Sequence, residues 1–518
     1  MKKILALLLA LTMVASMAAC GGNNSTATTA AATTAPAETT AAATQAVETT
    51  AAAETAADSE GWPAIGTPDA PVTVKVVCKD VFPDEEDVID LVAAINEKMA
   101  AHGQYVNVEF VDPPSSSYKT AMPLAVMNGE VDADIIYFQG GDEAVSAQGL
   151  LEDLTPYIES STYVKDLMNE TNVERMKNYP YILWLAPPRT ATPGVRTDLA
   201  EQCDSYAALI ADPTVDNYYA FMKELQDKGL CKYALTADGG LSRLDSIFNH
   251  AFGVTGTCLQ ENGKWIFSKA SQAEKAKLEF YAKLYAEELL DPDFLTNTWD
   301  VMEQRWYDGD AAIVAGTAGA TVQIYDTKMR AVHGDAAALT ILPPAKGVSQ
   351  AYTSIDVTKE SRGYGINVDS QNKDAAWAVL EFMASPEGRI LDKVGVEGKQ
   401  YNIEDGKIVF TDKFSGWWAR FWDTTDKLDP ETPLAEPVLT PAASESLEMV
   451  SKYSAMDHSL LIPDELAPQW DAMTNLYNEY AADIIRGVKP IDAFDTFVEE
   501  WNNAGGNDFD ALLQTTFQ

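Results

Sequence analysis

Cysteine is scarce in this chain, with five in 518 residues. Beyond Cys20 only Cys78, Cys203, Cys231 and Cys258 remain. Four in such a length do not make a disulfide scaffold, and no CxxC or Cys/His zinc spacing occurs. Cys203 and Cys231 are candidates to bridge within one region, but buried free thiols are the favoured reading. Histidine is rarer still, at four, and no HExxH is present. GxSxG, GxxxxGK[ST] and a strand-anchored GxGxxG are also missing. No catalytic constellation, cofactor or metal site is therefore called for. Basic residues are few, 37 against 78 acidic, for a net charge of −41. Such a body repels nucleic acid and anionic lipid surfaces. It also disfavours anionic ligands, unless a local field overrides the whole.

Long apolar runs are lacking too. The N-terminus reads MKKILALLLALTMVASMAAC, with an apolar stretch from Ile4 to about Ala15. That is too short for a membrane-spanning helix. Two lysines before it and Ala18-Ala19-Cys20 behind it make a secretory signal whose cleavage leaves Cys20 as the new N-terminus. The pattern resembles the bacterial lipobox, although Met17 stands where leucine is commoner. It implies a diacylglyceryl lipid on Cys20 and a protein tethered to the outer face of a membrane. Residues 21–60 are almost wholly Ala, Thr and Glu, without one aromatic. They bury too little apolar surface to offset ordering entropy, so a disordered linker is expected. As a flexible chain it spans about 35 Å.

What is present from residue 61 onward is apolar periodicity with many aromatics, enough for two lobes. Val72–Val77 reads as a buried strand. From Asp84 to His102, Val88, Leu91, Val92, Ile95 and Met99 recur at helical spacing, and Gly103 closes the run. Val106, Val108 and Phe110 alternate as a second strand. Tyr118–Asn128 reads as helix, and Ala133–Phe138 as a third strand. This alternation is the signature of a parallel sheet with helices on its faces, an α/β fold. Later strands are expected at Pro180–Trp184, Ala311–Val314, Leu339–Leu342 and Gly363–Val368. Later helices are expected at Tyr218–Lys228, Gln272–Leu289, Lys373–Ala384, Pro468–Arg486 and Ile491–Asn503.

Several stretches together resemble extracellular solute-binding proteins of bacterial ABC importers, the maltose-binding-protein class. They are NGEVDADIIYFQGGDEAVSAQGLLEDL (128–154), YDGDAAIV (307–314), LTILPPAKG (339–347), and Arg362–Asp369 followed by Lys373–Gly388. A narrower likeness, to large lipoprotein binding proteins of Firmicutes, rests on GVEGKQY (395–401) and the ending from Asn478. The resemblance implies a two-lobed, periplasmic-binding-protein-like fold of type II, each lobe a mostly parallel sheet flanked by helices. Lobe 1 is expected at 61–185 and 353–415, lobe 2 at 186–352 and 416–518. Crossing strands fall near Tyr179–Pro188 and Leu342–Ile366. It further implies a monomer on the cell surface that closes on a carbohydrate, most simply an oligosaccharide, and hands it to an ABC permease. A peptide or other non-sugar solute is the alternative. A surface glycan-active enzyme, which needs two carboxylates across a cleft, is the more distant one.

Sugar recognition calls for flat aromatic rings against C–H faces and planar polar groups for hydroxyls. The candidates are Asp80, behind the first strand, and Gln139 and Asp142, behind the third. Trp184 and Arg189 lie at the first crossing, Arg362 and Tyr364 at the second. Trp417 and Trp418 belong to the aromatic segment FSGWWARFWD, which serves equally well as packing. Gly316–Ala320 lacks the aromatic that many such proteins carry there, leaving room for a larger ligand or a backbone contact. Asp291, Asp293 and Asp300 do not fit a twelve-residue calcium loop.

Overall fold

The computed structural model describes residues 61–114, 117–424, 428 and 432–517. The signal, Cys20 and the linker lie outside the described residues. In chain order the strands of the two principal sheets are β1 (Val72–Val77), β2 (Val106–Val111), β3 (Ile135–Phe138), β4 (Ala191–Arg196), β5 (Tyr233–Leu235), β6 (Ala311–Thr317), β7 (Leu339–Ile341) and β8 (Gly363–Ile366). They form two four-stranded sheets, one with the order β8-β3-β1-β2, the other β5-β6-β4-β7.

Each sheet has three strands running one way and one against them. In the first, β1 is parallel to β2 (Val72 opposite Val106) and to β3 (Val76 opposite Ile135), while β8 is antiparallel to β3. In the second, β5 is parallel to β6, and β4 runs against both β6 and β7. The reversed strands, β4 and β8, are the ones that follow a crossing from the other lobe. A strand entering from outside is not bound by the right-handed β-helix-β rule that keeps consecutive strands parallel.

Local sequence explains the elements. Val74 and Val76 of β1 are completely buried, as fits a sheet covered on both faces. The helix Glu86–Ala101 buries Val88, Leu91, Ala94, Ile95 and Met99, and Gly103 follows at φ 77°. That left-handed conformation suits glycine and ends the helix. The first core joins these residues to the helix Lys373–Ala384. The second joins Phe221, Phe248, Tyr281 and Ile313 to Tyr477, Phe497 and Trp501 of the C-terminal helices. A satellite core seats Trp306 and Tyr325 against Ala442 and Ala443.

The expected boundary at residue 416 is corrected by packing. Trp417, Phe421 and Trp422 belong to the first core, not the second. The reason is a long-range anchor. The buried Asp392 carboxylate accepts the backbone N–H groups of Arg420 (2.8 Å), Phe421 (3.1 Å) and Trp422 (2.9 Å). The chain then stays on the first lobe as far as Ala435, whose N–H donates to the Ile408 carbonyl at 2.8 Å, and is in the second by Ala442. All four described cysteines are free and buried. Among the described residues no helix is long and apolar enough to cross a membrane.

Candidate ligand-binding cleft

Three segments pass between the sheets side by side. Leu183 and Tyr364 exchange backbone hydrogen bonds of 2.9 Å each, and Asp423 N–H donates to the Leu185 carbonyl at 2.8 Å. The first segment is held from behind by the helix Glu170–Asn178, whose cap is a reciprocal Asn169/Asn172 pair. Their spare amide groups donate to the carbonyls of Ala186 (2.9 Å) and Trp184 (3.0 Å). Pro187 and Pro188 then fix the chain in an extended course.

Around this proline pair the lobes leave a cavity of about 190 Å³. Arg189, Arg362 and Asp423 form one side, and the loop after β6, Thr317 to Thr321, faces them with Leu447. A larger cavity of about 450 Å³ shares Pro187, Pro188, Asp423 and Leu447 with it, so the groove continues past the prolines. The β6 loop is built for close approach. Ala318 N–H donates to the Thr190 carbonyl (3.1 Å), and Gly319 N–H to Ser446 Oγ (2.9 Å). Gly319 has φ 75°, and a Cβ there would stand 3.2 Å from Leu447. A side chain would therefore strain both backbone and contact.

The predicted residues divide between this groove and the interior. Arg189 and Arg362 line the cavity. Trp184, 8% exposed, lies beneath, with the Arg362 guanidinium 4.9 Å above its ring. The Trp184 Nε1 and Arg362 Nε atoms are buried without a hydrogen-bond partner. Gln139 is half-buried near the Tyr137 hydroxyl, whose pKa burial raises against the opposing pull of Arg362 and then of Gln139.

Four of the expected residues lie away from this lining. Tyr364 is completely buried: it stacks on Phe421 at 5.6 Å and its hydroxyl donates to the Arg420 carbonyl. Trp417 is also interior, with Nε1–H donating to the Asp392 carbonyl at 2.8 Å. Asp142 is buried and committed to Lys359, 3.0 Å away on the second crossing segment. Burial raises its pKa, and Lys359 opposes that. Asp80 sits behind β1 with φ 58°, its side chain 69% exposed and paired with Lys79 at 2.8 Å, away from the cavities above. Trp418 stays 43% exposed, outside those cavities, and Arg420 is sandwiched near it (4.7 Å) and Trp417 (4.4 Å). The rejected calcium position is filled from within: the Arg305 guanidinium bridges Asp291 and Asp293, and Asn297 Nδ2 donates to Asp291 at 2.8 Å.

Sequence reasoning missed Asp423, Lys393 and Leu447. Burial acts to raise the Asp423 pKa, but Lys393, then Arg362 and Arg189, outweigh it and hold the carboxyl below its ordinary value. Lys393 lies 2.7 Å away. Enclosure by the cleft walls, and next the charge of Arg362, lower the Arg189 pKa.

Two mixed sheets, three crossing segments and a groove between lobes define a two-lobed binding protein. The sequence profile of the family described as "bacterial extracellular solute-binding protein" matches residues 86–390, and the chain belongs to that family. It is 22% identical over 461 residues to "Lipoprotein LipO" of Bacillus subtilis, covering 80% of this chain and 87% of the relative. Its fold is similar to that of an N-glycan transport solute-binding protein from Streptococcus pneumoniae (TM-score 0.61, 14% identity, 86% of this chain and 98% of the other). An HMO-binding, ABC-transporter-associated solute-binding protein from Bifidobacterium longum infantis is comparably alike (TM-score 0.60, 16% identity, 86% and 98%).

Proposed function

We propose that this solute-binding protein captures an oligosaccharide in the interlobe groove and delivers it, chemically unchanged, to an ABC import permease. The observation that carries this reading is the groove itself: its walls come from both lobes, and all three crossing segments contribute to its lining or floor. A ligand there touches both halves at once, so its binding energy favours the closed arrangement over the open one. The permease then has a distinct closed shape to read. The N-glycan and HMO named for two structural neighbours support a saccharide. Asp423, the one carboxylate lining the smaller cavity, is already bonded to Lys393, while Glu170 and Glu448 line the larger one, so recovery of the glycan intact is what separates a carrier from a glycosidase. Cys20, with its signal and linker, would moor the body outside the cell, a reading that the lipoprotein name of the Bacillus relative supports.

Thermal-shift titration against a glycan and peptide panel tests this. Oligosaccharides should raise the melting temperature in proportion to the logarithm of concentration, and chromatography should return them intact. Stabilisation by peptides alone, or recovery of cleaved glycan, would overturn it.

A further inference from the structure

Most arginines of this chain are spoken for. Arg175 pairs with Glu360, Arg196 with Asp198, Arg243 with Asp238, and Arg305 with Asp291 and Asp293. Among the described residues Arg189 and Arg362 have no ion pair, and both line the same cavity. They are near enough for each to perturb its surroundings jointly: both act on the Tyr137 hydroxyl and on Asp423. The nearby carboxylates are already committed. Asp423 is bonded by Lys393 at 2.7 Å, and Glu360 by Arg175. Two positive charges are left over, in a protein whose formal charge is −41.

That surplus is costly as it stands. Like charges repel, and the buried Arg362 Nε has given up water without gaining an acceptor. Arg362 is nonetheless held in place over the Trp184 ring at 4.9 Å. A guanidinium presents planar, paired donors that match a carboxylate. Low-dielectric walls concentrate the field of such a pair locally, whatever the net charge of the molecule.

Resting on the oligosaccharide reading, we propose that the cleft selects acidic sugars, with Arg189 and Arg362 clamping a ring carboxylate between them. The carboxylate supplies the acceptor that Arg362 Nε lacks and separates the two guanidinium charges. The Gly- and Ala-rich loop that shares this lining leaves space for the sugar ring. The groove past Pro187 and Pro188, whose lining includes Glu170 and Glu448, takes further residues of the chain with their carboxylates turned to solvent.

The test uses the full chain and matched pairs of oligosaccharides: galacturonate, glucuronate and mannuronate trimers, each beside its carboxyl-reduced neutral counterpart, titrated calorimetrically at two salt concentrations. The acidic member of at least one pair should bind about 10-fold or more tightly than its neutral partner, and less so at high salt. R189Q and R362Q should each collapse that ratio toward one, and R362K, which keeps charge but not the fork, should retain part of it. Circular dichroism of each variant establishes that it is folded. Equal or better binding of the neutral members overturns this selection but leaves the oligosaccharide reading standing. An acidic preference that survives both substitutions places the anion elsewhere and also overturns it. A panel in which no member binds overturns the acidic selection, and the oligosaccharide reading falls with it only if the wider glycan panel also fails to stabilise the protein.

Discussion

The second lobe and the cleft both remove charged groups from bulk water, and they do it in opposite ways. In the second lobe Lys277 is buried among helices Ser242–Phe252, Gln272–Ala286 and Ala467–Ile485. Its ammonium reaches Asp245 (2.8 Å), Glu274 (3.0 Å) and Asn249 Oδ1 (2.7 Å). The hydroxyls of Tyr281 and Tyr477 donate to Asp245 (3.0 Å) and Glu274 (2.6 Å). Every member of that cluster has its partners inside the protein. In the cleft, Arg189 and Arg362 have none, and two buried donors go unmet. A complete cluster ties elements together; an incomplete one facing a cavity waits for a molecule from outside. Between these two places it is satisfaction, rather than charge as such, that differs.

The strongest way to break that comparison is to open the complete cluster. K277M leaves Asp245 and Glu274 buried without their cation, which costs about 3–5 kcal/mol. Denaturant unfolding should show it, and a loss under about 1 kcal/mol would mean that water or rearrangement replaces the lysine. Next in size is D392N. It converts an acceptor of three backbone N–H groups into a weaker, neutral one, for a loss of about 1–3 kcal/mol. Near-ultraviolet circular dichroism should report loosened packing of Trp417 and Trp422.

A smaller effect follows from Asp423. Its folded pKa lies below the unfolded value of about 3.9. It therefore contributes stability that is complete above that value and lost as pH falls through the lower, folded one. The stability gap between wild type and D423N should shrink as pH is taken below about 4. A gap that widens on acidification would show that Lys393 and the arginines do not dominate its burial. The smallest expected change is the most telling. R189Q should alter the stability of the unliganded protein by no more than about 0.5 kcal/mol, because it removes no ion pair and relieves repulsion. A large loss would place Arg189 in the scaffold.

The sequence made the repeating parts of the fold legible and left the long-range parts dark. Helical spacing from Val88 to Met99 and alternation in Val106–Phe110 are local physics, and the corresponding elements form where that physics puts them. The course of the chain around Arg189 and Arg362 was visible for a related reason: the prolines and strand ends there are local. FSGWWARFWD shows the opposite case. Its aromatics have no period of their own, and what decides their burial is a carboxylate at Asp392, roughly thirty residues upstream. Asp142 likewise looked like a loop acid free to meet a ligand, because its partner Lys359 lies 217 positions away. The helices Ser242–Phe252 and Pro441–Tyr453 went unread because their buried, apolar faces are interrupted by polar Ser246, His250 and Ser446. His250 finds its partners in distant Ser349 and Ser354, while the Ser246 and Ser446 hydroxyls donate back to the Arg243 and Ala443 carbonyls of their own helices, and Ser446 also accepts from Gly319 N–H.

The central claim is that solute lodges between the lobes, on the crossing segments. Hydrogen–deuterium exchange of the full chain, with and without the tightest oligosaccharide of the panel, tests it directly. The account predicts slowed exchange at residues 183–192, 316–321 and 360–364 together, since one ligand spans both lobes there. Slowed exchange confined to a single lobe, or centred on the exposed Trp418, would contradict it.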